Sequence, residues 1–178
     1  MGKYFGTDGY RGRAYEVLTT DHAYKIGRFI GYFSWLCKDC GKVVIGKDTR
    51  VSGDDFENAL CRGINDSGAD VYLMGVTTTP AVIYTTDKEK FSYGIMISAS
   101  HNPYYDNGIK IIDENGHKIS SNIEDINSII EDWLSDSEAT VIYVAKDKSN
   151  NIAKLSYTLR ANPPVETEEE TPAETPTP

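Results

Sequence analysis

An open α/β sheet covered by helices on both faces is the fold class this sequence predicts, and three observations predict it. Strand-like and helix-like segments alternate from Tyr4 to Leu134. The short runs KVVI (42–45) and YGIMI (93–97) are almost wholly apolar, as strands buried on both faces are. The segments between them repeat apolar residues at helical spacing, so each has a face to bury against a sheet.

In chain order, Tyr4 to Ala14 is a glycine-punctuated opening. Ala23, Ile26, Ile30, Phe33 and Leu36 keep helical spacing from Thr20 to Leu36, with Thr20 or Asp21 as cap. Lys42 to Ile45 is a strand closed by Gly46. Phe56, Leu60 and Ile64 share one face of a helix over Asp54 to Ser67, with Gly68 as its stop. Asp70 to Met74 returns to strand character. Thr79-Pro80 opens a helix through Tyr84, since proline suits the first helical position. Tyr93 to Ile97 is the next strand. Gly108 to Ile112 and His117 to Ile119 read as a hairpin around Asn115-Gly116. Asn122 to Leu134 is an amphipathic helix, and Thr140 to Asp147 with Ile152 to Leu159 reads as a second hairpin.

Hydrophobic residues make up 39% of the 178 and charged residues 25%, the composition of a soluble globular protein. No apolar signal region follows the start, which places the chain in the cytoplasm. The net charge is −9, and five glutamates in residues 161–178 leave −4 for the rest, which argues against nucleic acid or an anionic membrane as partner. Cys37 and Cys40 have the spacing of half a zinc site, but no second pair follows, so no metal or disulfide is assigned to them.

The stretch that carries chemistry is Ser98-Ala99-Ser100-His101-Asn102-Pro103. A strand delivers it to the sheet edge, where ligands gather in open α/β sheets. Asn102-Pro103 disfavours helix, so Ser100 and His101 are turned toward solvent. A hydroxyl beside an imidazole has the makings of a nucleophile pair. Neighbours on a chain often point apart, however, and alone these six residues read as a capped polar loop. Asp48 and Arg50 read as a pair that holds its own loop, and His117 as a surface histidine.

Residues 100–110 (SHNPYYDNGIK) resemble the phosphoserine loop of the α-D-phosphohexomutases. KYFGTDGYRG (3–12), GKDTRVSG (46–53) and GVTTTPAV (75–82) resemble three more stretches of that family, in the same order. The resemblance implies a three-layer α/β/α sandwich with a mixed sheet. It further implies an intramolecular phosphotransferase acting on hexose phosphates, with glucosamine phosphate as the expected sugar. Ser100 would carry the phosphoryl group. His101 and Lys110 would flank the reacting groups, Lys110 moving the proton, while Arg11, Tyr10 and Asn102 would bind phosphate or substrate. Phosphoryl transfer needs positioned positive charge, which suits an arginine fork and a movable lysine. Gly6, Gly9 and Gly12 would let backbone N–H groups approach an anion.

The family's Mg²⁺ is implied as cofactor, with a phosphate oxygen on Ser100 as the one ligand here, because no Asp-Gly-Asp-Gly-Asp pattern occurs in the chain. The resemblance ends near residue 135. The expected organisation is a first domain over 1–138, a hairpin-like extension over 139–160 and a disordered acidic Pro/Thr-rich tail over 161–178. The expected partners are a hexose phosphate or bisphosphate and a second chain supplying the missing domains. Alone, the chain is expected to be inactive or nearly so. The alternative is a non-catalytic binding or regulatory module that keeps the fold and docks through its sheet edge; a serine-nucleophile phosphatase ranks last.

Overall fold

A computed structural model describes residues 9–37, 41–119, 139–146 and 152–159. The elements are β1 (Tyr10–Arg13), α1 (Thr20–Cys37), β2 (Lys42–Lys47), α2 (Gly53–Asn65), β3 (Asp70–Val76), α3 (Thr79–Lys88), β4 (Tyr93–Ile97), β5 (Asp106–Asp113), β6 (Ala139–Lys146) and β7 (Ile152–Leu159). The first five strands form one sheet in the order β1-β5-β4-β2-β3. Strands β3, β2 and β4 run parallel, and β5 and β1 are antiparallel additions at one edge. The sheet is therefore mixed, as the resemblance implied. Strands β6 and β7 pair antiparallel from Ala139↔Leu159 to Lys146↔Ile152, so that hairpin forms where its alternation placed it.

Alternation along the strands sorts side chains onto two faces. Val43, Ile45, Ile95, Ile97, Ile109 and Ile111 meet α1 and α2 on one face. Val44, Met96 and Ile112 meet Val82 and Ile83 of α3 on the other. Two helices on one face and one on the opposite face make three layers. Among the described residues, no helix is long and apolar enough to cross a membrane.

Three boundaries differ from the sequence reading, each for a packing reason. Strand β2 continues through Gly46 to Lys47, because Gly46 is where Thr77 and Val82 close over the strand rather than where it stops. Helix α3 runs four residues past Tyr84 to Lys88; buried Thr86 satisfies its hydroxyl on the Val82 carbonyl (2.7 Å). After the turn at Asp113–Gly116 a single bridge, Ile112↔Lys118, replaces the expected return strand. The amphipathic segment 122–134, Cys40, the 147–151 turn and the 161–178 tail lie outside the described residues.

Helices α1 and α2 cross backbone to backbone. A Cβ on Gly63 would lie 2.2 Å from the Tyr24 carbonyl oxygen, and one on Gly27 would lie 2.4 Å from that of Leu60. Gly63→Ala is therefore expected to cost about 1–3 kcal/mol through overpacking. A urea unfolding midpoint that does not fall would contradict this crossing.

Candidate functional site

The loops after β2 and β4 emerge at the same end of the sheet, because those strands are parallel neighbours. Strand β4 ends at Ile97, and one more ladder bond follows, from Ser98 N–H to the Gly108 carbonyl (2.8 Å). The chain then turns within four residues, closed by Asn102 N–H on the Ala99 carbonyl (3.1 Å). Ser98 is buried, and its hydroxyl oxygen accepts the Ser100 N–H at 3.0 Å. Ser100 and His101 are exposed at the tip, as the sequence reading expected. Ser100 adopts φ +57, a left-handed conformation that costs a non-glycine residue about 1–2 kcal/mol.

Something must hold that conformation, and Arg50 does. Its side chain is 9% exposed and lies beneath the serine loop. One terminal nitrogen donates to the carbonyls of Ser100 (2.9 Å) and Asn102 (3.0 Å). The other donates to those of Pro103 (2.5 Å) and Asp106 (2.9 Å). The Nε–H donates to Asp48 (3.0 Å), whose other carboxylate oxygen accepts the Arg50 backbone N–H at 3.1 Å. A guanidinium has five N–H donors, and all five are engaged. The Asp48–Arg50 pair read from sequence is present, and it fixes the serine loop as well as its own.

Nearby charges are neutralised by neighbours. At the end of β2, Lys47 bonds both Asp54 (2.6 Å) and Glu57. Those hydrogen bonds, Asp54's first, hold its pKa above the ordinary lysine value. Asp106 accepts from the Asn102 amide at 3.0 Å, so the Asn102 side chain braces the loop. An open groove of about 340 Å³ runs over this loop, lined by Thr49, Arg50, Val51, Ser100, Asn102 and Tyr104. Val51 and Tyr104 also line a neighbouring groove of about 390 Å³ with Arg13, Tyr15 and Tyr105.

Arg11 and Lys110 approach from the β1–β5 edge. Arg11 pairs with Gly108, where a Cβ would lie 2.8 Å from the Arg11 Cγ, so glycine there leaves the arginine its path. Lys110 is 6% exposed and opposite Met96, two residues along β5 from Gly108, or about 7 Å deeper into the sheet. Both side chains lie on the α3 face, since Tyr10 and Ile109 occupy the other. Such diagonal neighbours lie about 7–8 Å apart, their Cβ atoms somewhat closer.

Tyr10 requires a correction. It is 4% exposed in the core beneath α1, and its hydroxyl donates to the Val17 carbonyl at 2.6 Å. Strand alternation turns it away from Arg11 and from the serine loop. Packing requires glycine at both Gly9 and Gly12: a Cβ on Gly9 (φ +90) would strike the Ile109 carbonyl, and one on Gly12 would strike Val17. Gly6 lies outside the described residues.

Among the described residues, no group of three or more His, Cys, Asp or Glu is placed to hold a metal. The two carboxylates at the serine loop are engaged, Asp48 with Arg50 and Asp106 with Asn102.

Fold and site together define a three-layer α/β/α domain that presents an exposed serine from a clamped loop at the carboxyl ends of parallel strands. The sequence profile described as "Phosphoglucomutase/phosphomannomutase, alpha/beta/alpha domain I" matches residues 2–137. The chain belongs to this family and carries its domain I. It is 50% identical over 164 residues to a phosphoglucosamine mutase of Lachnospira eligens, covering 91% of this chain and 35% of the relative. It is 55% identical over 135 residues to that of Lachnoclostridium phytofermentans, covering 75% and 29%. A phosphoglucomutase/phosphomannomutase family protein from Burkholderia thailandensis superposes with TM-score 0.62 at 26% identity, over 72% of this chain and 29% of that one. The chain thus spans about a third of the length of the curated relatives it matches.

If the left-handed turn is strained as its φ indicates, Ser100→Gly should raise stability by about 1 kcal/mol while Ser100→Ala does not. Paired denaturant midpoints test this; equal midpoints for the two variants would rule the strain out.

Proposed function

We propose that this chain is the phosphoryl-carrying domain of a phosphoglucosamine mutase. The single observation that carries the reading is Ser100: an exposed hydroxyl just after β4, on a loop fixed by four guanidinium bonds, in a chain half identical to enzymes of that name. In the proposed step, the Ser100 Oγ bonds to the phosphorus of a hexose bisphosphate as the phosphorus–sugar oxygen bond breaks. The hydroxyl proton ends on the released sugar oxygen. The reverse step returns the phosphoryl group to the other sugar position.

Charge spreads over the phosphoryl oxygens in flight, so catalysis here is mainly positioning and neutralisation. Arg11 and Lys110, diagonal on one sheet face, are the proposed cationic pair, and His101 flanks the serine at the tip. The residues present do not fit Mg²⁺, which requires an octahedron of oxygens, because the loop's carboxylates are already committed to Arg50 and Asn102. Interconversion of glucosamine 6-phosphate and glucosamine 1-phosphate needs groups that hold the sugar in two orientations, and the proposal assigns these to the two thirds of the relatives' length that this chain does not span.

Incubated with a ³²P-labelled hexose 1,6-bisphosphate, the 178-residue chain should acquire label at Ser100 and show little mutase turnover. Ser100→Ala should abolish the label while leaving the far-UV circular dichroism spectrum unchanged. Equal labelling of the variant, or none of the wild type, would reject the assignment.

A further inference from the structure

We infer that the backbone N–H groups of His101 and Tyr104 are the seat for phosphoryl oxygens at this loop, and that Arg50 is the positioning residue that turns them outward. This rests on reading Ser100 as the phosphoryl carrier and extends it to how the loop tolerates a dianion. An exposed turn normally shows solvent a mixture of carbonyl oxygens and N–H groups, and the oxygens repel phosphate.

Here four carbonyls within seven residues, those of Ser100, Asn102, Pro103 and Asp106, converge on one guanidinium. A trans peptide is planar, with its N–H directed opposite to its C=O, and no cis peptide is present among the described residues. The N–H of His101 shares its peptide with the Ser100 carbonyl, and that of Tyr104 shares its peptide with the Pro103 carbonyl. Both must therefore point away from Arg50. Neither finds a partner among the described residues, whereas the N–H groups of Ser100, Asn102 and Asp106 are bonded inside the loop.

Of the other two inward peptides, Asp106–Asn107 carries the N–H of Asn107, which is fully buried in β5, and Asn102–Pro103 has no N–H to offer. Its proline removes a donor that would otherwise compete for the same anion. The outcome is an exposed tip bearing the positive ends of two peptide dipoles, adjacent to Ser100, with a guanidinium behind it. Arg50 touches neither substrate nor phosphoryl group in this arrangement. Its contribution passes through the peptide planes it orients.

The test is a titration of the 178-residue chain with inorganic phosphate, followed in ¹H–¹⁵N spectra. The wild type should show saturable downfield shifts at His101 and Tyr104. Ser100→Ala should titrate with the same affinity, because the seat is backbone. Arg50→Lys loses the planar fork and should bind phosphate at least about tenfold more weakly, as expected for losing aligned hydrogen bonds to a charged group. Unmoved Ile95 and Ile109 amides certify the fold. Should Arg50→Lys fail to fold, Asp48→Asn, which removes the pairing charge and the Nε–H acceptor but leaves the four carbonyl bonds, gives the same readout with a smaller loss.

An Arg50 that merely props the loop would change unliganded shifts over 98–106 but leave phosphate affinity intact, and that result overturns the inference. So does phosphate moving the Arg50 Nε signal in place of the two amides. Failure of Ser100 to label, with the amide response present, would instead sink only the phosphoryl-carrier reading.

Discussion

The site depends on one arginine having every donor occupied. Arg50 leaves the end of β2 and reaches residues fifty to fifty-six positions later in the chain, where it bonds four backbone oxygens. A nearly buried guanidinium is tolerable only when paired and fully hydrogen-bonded. Asp48 supplies the pairing charge and the loop supplies the remaining acceptors. The dependence is mutual. Without the loop the arginine would be an unsatisfied buried cation, and without the arginine the carbonyls of Ser100, Asn102 and Asp106 would lose this donor around a strained Ser100, while that of Pro103 would keep only the Asp106 N–H.

Sheet order explains why this clamp can exist. Because β4 lies directly beside β2, the loops that follow both strands leave the sheet at the same end and within one side chain's reach. The antiparallel β5 then returns from that loop, and β1 pairs with it. Arg11 is thereby brought alongside Gly108, next to the ladder bond that ends at Ser98. A parallel strand in the position of β5 would need a crossover, and the serine loop could not then be a tight turn. Short turn, clamp and flanking cations are consequences of one change in strand direction.

The resemblance read from four short stretches extends to the family and to its domain I, and the mixed three-layer architecture agrees with it. Activity of the whole enzyme concerns a chain about three times as long as this one.

By itself the sequence determined the order and type of elements, because periodicity and turn chemistry are local. Helical spacing in α1, alternation in β6 and β7, and a proline after Asn102 are all readable within a few residues. It also placed Ser100 and His101 on an exposed turn, since a strand end followed by Asn-Pro leaves few other outcomes. Tertiary structure alone decided the rest. Tyr10 lies beside Arg11 in a family signature, yet strand alternation sends one to the core and the other to the opposite face. Asp48 and Arg50 were legible as a pair, but the four carbonyls they serve were not, because backbone acceptors carry no residue identity. Which peptide oxygen meets which side chain follows from how two parallel strands lie side by side, and no local pattern records that.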